Sequence, residues 1–161
     1  MDIEGFSSPG SAKYLAEIIP QLYISDYSTA KSAEALMAKD IKVIVNLVSH
    51  KCIHDHNASF FYENYKIADS TGQDLVSIIE DIMLTIDTHI KLGRKVVVHC
   101  SKGISRAPSV IIAYLIKIQH MQFDTAFALV KQKSPRIDPN AGFMMQLSLL
   151  VWLIKFYVSM P

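Results

Sequence analysis

The sequence predicts an α/β fold, a single domain with a mostly parallel central sheet and helices on both faces. Three observations carry that expectation. Short apolar, β-branched runs at Ile41–Val48 and over residues 96–98 read as central strands. Longer segments with apolar residues at helical spacing lie between and after them. Strand and helix signals alternate with no repeat or low-complexity segment, the pattern of parallel strands joined by crossover helices. With 161 residues and 50% hydrophobic composition, the chain can bury a sizeable core without disulfide or metal staples.

Taken in order, residues 1–12 are small and polar, with Ser7-Ser8-Pro9-Gly10 a turn in a flexible lead-in. The domain proper is expected over 13–161. Residues 22–24 form a short strand. Residues 28–38 read as one helix, with Ala30, Ala33, Leu36 and Met37 on one side. After the strand Ile41–Val48, residues 60–67 alternate loosely, carry Phe60, Phe61, Tyr62 and Tyr65, and read as a further strand. Ser70 with Gln73 three positions on fits a capping box. A helix follows over 74–92, with Leu75, Ile78, Ile79, Ile82, Met83, Ile86 and Ile90 on one face and Gly93 as its stop. The valine strand ends in a small polar loop, and residues 108–119 are almost continuously apolar, as in a buried helix.

That loop is His99-Cys100-Ser101-Lys102-Gly103-Ile104-Ser105-Arg106. Cys100 stands between the C-terminal end of a strand and the N-terminal end of a helix. Backbone N–H groups lack helical partners there and the dipole presents partial positive charge. Such a place suits an anion and favours a thiolate. Arg106 adds a planar fork matched to two phosphate oxygens. Gly103 lets the backbone bend so that the amides of Ser101, Lys102, Gly103, Ile104 and Ser105 line an anion nest. The plainer alternative makes Cys100 an inert buried thiol.

The octet resembles the signature loop of cysteine-dependent protein phosphatases, and most closely that of their small dual-specificity branch. The resemblance covers nearly the whole chain. Ile19-Pro20-Gln21-Leu22-Tyr23-Ile24 is similar to that branch's entry strand and Ile44-Val45-Asn46-Leu47 to its next strand. Arg136-Ile137-Asp138-Pro139-Asn140-Ala141-Gly142-Phe143 is similar to its late loop and last helix start. The resemblance implies a phosphomonoester hydrolase acting on phosphotyrosine and phosphoserine or phosphothreonine in proteins, without metal or cofactor. Cys100 would attack phosphorus, Arg106 and the loop amides would hold the equatorial oxygens, and Asp69 would be the general acid. Ser105 would donate to the departing sulfur, His99 would orient the loop from behind, and Asn140 would steady it.

Each residue also has a plainer reading. Asp69 sits on an exposed loop before a helix, where a carboxylate is favoured by the dipole in any case, with Asp74 a second candidate acid or a first-turn residue. Ser105 and Asn140 are at helix-cap positions, His99 fits a satisfied core histidine, and Lys102 fits a solvated rim charge. Tyrosine-specific relatives carry Trp-Pro-Asp where this chain has Ile67-Ala68-Asp69, which favours the dual-specificity branch. Lys102 could also attract a phosphoinositide, but lipid-directed relatives place a Lys two positions later, where Ile104 stands.

A net charge of +1 gives no footprint for nucleic acid. Two cysteines make no disulfide framework, and a working thiolate favours a reducing compartment. Met1-Asp2-Ile3-Glu4 shows no signal-peptide pattern and no glycine for myristoylation, so cytosol or nucleus is expected. His50, Cys52, His54 and His56 could ligate a metal or fit a polar loop, and Cys52 could pair reversibly with Cys100 or be a plain thiol. From Phe143 to Val158 only Gln146, Ser148 and Lys155 are polar, and Trp152 interrupts the stripe of Ser148, Lys155 and Ser159. The run is expected to fall short of a membrane span, which needs about 20 apolar residues. It reads either as a core helix or as a homodimer or partner surface. Two other functional classes stand beside the protein phosphatase. One is the same chemistry on a lipid, an RNA 5′ end or a carbohydrate. The other is a phosphate-binding or redox-sensing module without turnover.

Overall fold

The valine run forms the centre of the sheet because every one of its side chains finds an apolar layer. In the computed structural model, which describes residues 13–48 and 58–161, β5 (Lys95–Cys100) lies between β2 (Leu22–Asp26) and β3 (Ile41–Val48). The sheet order is β1-β2-β5-β3-β4, with β1 spanning Leu15–Ile19 and β4 spanning Phe61–Ile67. All pairings are parallel except β1 with β2. Alternation sends Val96 and Val98 to one face and Val97 to the other. The first face carries α3 (Val76–Lys91), α4 (Arg106–Lys117), α5 (Phe123–Lys133) and α6 (Ala141–Val158). The second is covered more thinly, by Leu36 and Ala33 of α2 (Ala33–Ala38) together with Phe60.

This is the expected fold class, and several boundaries differ from the sequence reading. The entry strand is a hairpin: Leu15 to Ile19 pairs antiparallel with residues 22–25 around Pro20-Gln21. Gln21 takes φ +73°, a conformation normally given to glycine, so the turn left no glycine signal. The single helix expected over 28–38 is two, α1 (Tyr27–Ala30) and α2, because Ser32 turns its hydroxyl back onto the Ala35 N–H and starts a new helix. The helix α5 was not anticipated. Ser70 and Gln73 do not form a capping box: Ser70 Oγ accepts from Gly72 N, and Gln73 Oε1 accepts from Ala68 N, both within the loop. The helix begins at Val76, and Asp74 caps it by accepting the Ser77 N–H. Gly93, at φ +77°, ends it as expected. The lead-in 1–12 and residues 50–56, with their candidate metal ligands and Cys52, lie outside the described residues.

The last helix splits its apolar residues between two faces. Phe143, Leu147 and Leu150 are buried in the core, whereas Met145, Leu149, Trp152 and Phe156 are exposed. Both sets follow the 4-3-4 spacing of a heptad seam or close to it, so the helix has an inner seam and an outer one. Its 18 residues, with hydropathy 1.6, are long and apolar enough to cross a membrane by length and composition, which corrects the expectation that the run is too short. Its first turns, however, are committed to the core.

Candidate active site

The site forms where the parallel strands end. Cys100 is the last residue of β5, 2% exposed, in register with Asp26 of β2. Helix α4 begins at Arg106 and is buried from Ala107 to Ile116, so its N-terminus is anchored directly behind the loop. The Ala107 N–H points at Cys100 Sγ, 3.4 Å away, bringing an unpaired helix N–H and the positive end of the dipole to the sulfur.

Gly103 holds φ +69° and packs under the loop. A Cβ there would press into the Tyr14 ring and stand 3.1 Å from the Ser25 carbonyl oxygen, so the position needs glycine for its backbone and for its space. Burial pushes the Tyr14 phenol above its ordinary value, and it stays neutral, hydrogen-bonded to Ser134.

Arg106 is oriented by the sheet. Its Nη1 donates to the carbonyls of Leu47 (3.2 Å) and Ile67 (3.1 Å), at the ends of β3 and β4, and Nη2 donates to Ser101 Oγ at 3.0 Å. Those bonds fix the guanidinium plane and leave the Nε–Nη2 edge as the pair able to grip two oxygens. A cavity of about 370 Å³ is lined by Asp69, Cys100, Ser101, Lys102, Ile104, Ser105 and Arg106. The structure thus brings the expected nucleophile, cation and acid to one hollow.

The remaining site residues take specific places. His99 is fully buried, its Nδ1 3.5 Å from the Cys100 carbonyl oxygen and its ring 6.2 Å from that of Tyr27. Ser105 occupies the N-cap position of α4 but caps nothing with its hydroxyl, which accepts the Asn140 N–H at 2.9 Å. The Ala107 N–H lies on the sulfur, and the Ser105 hydroxyl, accepting from Asn140, keeps its own proton to donate. Lys102 is exposed on the rim. Asn140 Oδ1 caps α6 at the Phe143 N–H, and its Nδ2 donates to Asp69 Oδ1 at 3.0 Å, so its side chain reaches the acid-bearing loop and only its backbone N–H meets the signature loop, at Ser105.

Sequence reasoning missed a strap over residues 136–140. Arg136 donates to the Lys102 carbonyl, the Asp138 N–H to the Ile104 carbonyl, and the Asn140 N–H to Ser105 Oγ. Arg136 also stacks on the Tyr14 ring at 3.5 Å and lies 3.8 Å from Asp26. Gly142 was missed as well; a Cβ there would collide with the backbone of Thr71, so α6 and the loop carrying Asp69 touch. The available signal was the density of Pro, Asn and Gly around 139–142, which marks a turn but names no partner.

Residues 22–151 match the family model described as dual specificity phosphatase, catalytic domain. Human dual specificity protein phosphatase 9 is 31% identical over 151 residues, covering 91% of this chain and 39% of that protein. Dual specificity protein phosphatase 1-B of Xenopus laevis is 35% identical over 131 residues, covering 81% of this chain and 35% of its own. The chain therefore spans well under half the length of these curated relatives. Among solved structures, a mouse putative dual specificity phosphatase complexed with zinc tungstate superposes with a TM-score of 0.86, 24% identity and 99% coverage of both chains. The human tyrosine phosphatase-like serine/threonine/tyrosine-interacting protein gives 0.79 at 27% identity, covering 90% of this chain and 98% of that one.

Proposed function

This chain belongs to the dual-specificity phosphatase catalytic-domain family, and from that premise we propose that it hydrolyses phosphotyrosine and phosphoserine or phosphothreonine in proteins through a phospho-cysteine intermediate. The observation that carries the reading is the shared hollow: Cys100, Arg106 and Asp69 line one cavity, with a helix N-terminus behind the sulfur. Phosphate enters with its oxygens on the loop amides and the Arg106 edge, which also meet the charge that builds as phosphorus is attacked. Cys100 attacks as thiolate, the sulfur–phosphorus bond forms, and the ester oxygen leaves with the proton of Asp69. Asp69, now a carboxylate, takes a proton from water as that water attacks phosphorus and returns sulfur to the thiolate. The sequence pattern calls for no metal in these steps.

The working compartment in this reading is a reducing one, the cytosol or nucleus, and the role is in phosphoprotein signalling. The test is hydrolysis of aryl phosphates by wild type, Cys100→Ser and Asp69→Asn under reductant without metal. Turnover lost in Cys100→Ser supports the reading; a wild type that binds orthovanadate but turns nothing over makes the chain a recognition module. Turnover of a phosphoinositide or a phosphorylated carbohydrate in preference to phosphopeptides would move the substrate to the non-protein class.

The partner in this reading is a second copy of the chain, paired through the outer seam of α6. Met145, Leu149, Trp152 and Phe156 are 66%, 51%, 60% and 46% exposed, and Trp152 stacks on Phe156. Heptad spacing fits another helix, and a seam without charge meets its own copy across a two-fold axis without repulsion. Tyr157 and Val158 lie off this seam, over a groove lined by Val76, Ile79, Glu80 and Lys117, so the pairing rests on the four seam residues and their neighbours. Sedimentation of the wild type should give twice the 18.1 kDa chain mass, and Leu149→Lys should give a monomer with unchanged activity. A monomeric wild type at 100 µM (about a hundred times a 1 µM dissociation constant), or flotation with neutral phosphatidylcholine vesicles, overturns the pairing.

A further inference from the structure

We propose that Gln146 is a positioning residue for the general acid, holding the loop over residues 68–75 in the geometry that aims Asp69 at the leaving oxygen. The inference rests on the phosphatase reading above and adds a residue to it. Gln146 interrupts the most apolar stretch of the chain, where a polar side chain needs a partner. It finds four. Its Oε1 accepts the N–H groups of Leu75 (2.7 Å) and Val76 (3.2 Å), and its Nε2 donates to the carbonyls of Gln73 (2.9 Å) and Gly142 (3.2 Å). Both amide termini are therefore satisfied: two of the four bonds cross to the acid-bearing loop and a third to Val76, where α3 begins.

The placement has a mechanical consequence. Leu75 occupies the N-cap position of α3 and has no side-chain cap of its own, so the first N–H groups of that helix are taken up by Gln146 from 70 residues away. Gln73 in turn reaches back with Oε1 to the Ala68 N–H, next to Asp69. Asn140, the N-cap of the same helix six residues before Gln146, holds the Asp69 carboxylate itself. The acid thus has a pin on its side chain and a second pin on its backbone, and both belong to the first turns of α6. The phosphate-binding loop receives no bond from Gln146. Removing this side chain should therefore disturb proton delivery and leave phosphate binding intact.

The experiment is a leaving-group series of aryl phosphates with wild type, Gln146→Ala, Gln146→Glu, Asp69→Asn and the double variant Asp69→Asn/Gln146→Ala. Gln146→Ala should lower kcat about tenfold for poorly acidic leaving phenols, a cost in the range of misplaced catalytic groups. It should leave nitrophenols and the orthovanadate Kd unchanged, and it should have no further effect in the Asp69→Asn background. Gln146→Glu keeps the acceptor for Leu75 and Val76 and should recover part of the loss. Amide exchange should quicken at 73–76 in Gln146→Ala and stay unchanged at 100–106. A loss uniform across leaving groups, a loss that multiplies that of Asp69→Asn, or unchanged exchange at 73–76 overturns the inference. A wild type without turnover overturns the phosphatase reading instead, and the exchange experiment still decides whether Gln146 holds the loop.

Discussion

Two loops face each other across one cavity and are held by opposite means. The loop over residues 100–106 is part of the core. It rises from the central strand and enters the most buried helix. Gly103 and Ser105 lie below its surface, and Arg106 is tied to two neighbouring strand ends. The loop over 68–74 is exposed almost throughout and hangs on side chains of α6, Asn140 and Gln146, with bonds among its own residues. The difference matches the tasks. In the proposed reaction phosphate is common to every substrate, and its cradle gains from rigid preorganisation that costs nothing at the moment of reaction. Leaving groups would vary, and Asp69 as the proposed proton donor would gain from a support that can move on substrate entry.

The largest effects should come from the rigid side. Cys100→Ser should abolish turnover while phosphate analogues still bind, measured by steady-state assay and by vanadate titration. Turnover that survives would break the assignment of the two loops altogether. Next comes Asp69→Asn, with a loss of about 10²–10⁴-fold in kcat that shrinks for leaving groups needing no proton. If the loss is equal for all leaving groups, Asp69 is not the acid.

Gly103→Ala tests the comparison through stability. Because its new methyl meets Tyr14 and the backbone is in the left-handed region, it should cost about 1–3 kcal/mol in denaturant unfolding and reduce phosphate affinity as well. Asn140→Ala should sharpen the contrast at smaller scale. Loss of the α6 cap should cost about 0.5–2 kcal/mol, and proton delivery should weaken for poor leaving groups. Unlike Gly103→Ala, it should leave vanadate affinity close to that of the wild type.

How much of this was legible beforehand follows the same division. The cradle could be read from eight consecutive residues, because strand, turn and helix signals there are local and their order fixes where the amides point. The strands at 41–48 and 61–67 were likewise visible in β-branched and aromatic runs. The entry hairpin was not, since Gln21 adopts a glycine-like turn without a glycine. The break at Ser32 was not either, since serine is tolerated inside helices and only its side-chain bond marks a start. Ser105 shows how little spacing says about partners: its hydroxyl accepts the Asn140 N–H from 35 residues away.

By itself the sequence determined the fold class, from periodicities local to each element, and singled out Cys100 and Arg106 as candidate nucleophile and cation, because they stand six positions apart in one strand–loop–helix segment. The tertiary structure decided what holds Asp69 and its loop. Asn140 meets Asp69 across 71 residues and Gln146 meets Gln73 across 73, and no periodicity or motif records a pairing at such separation. It also decided which apolar face of α6 is spent on the core and which is left outside. A helix apolar on nearly all sides carries no mark of its inward direction until the sheet and α4 have taken their places.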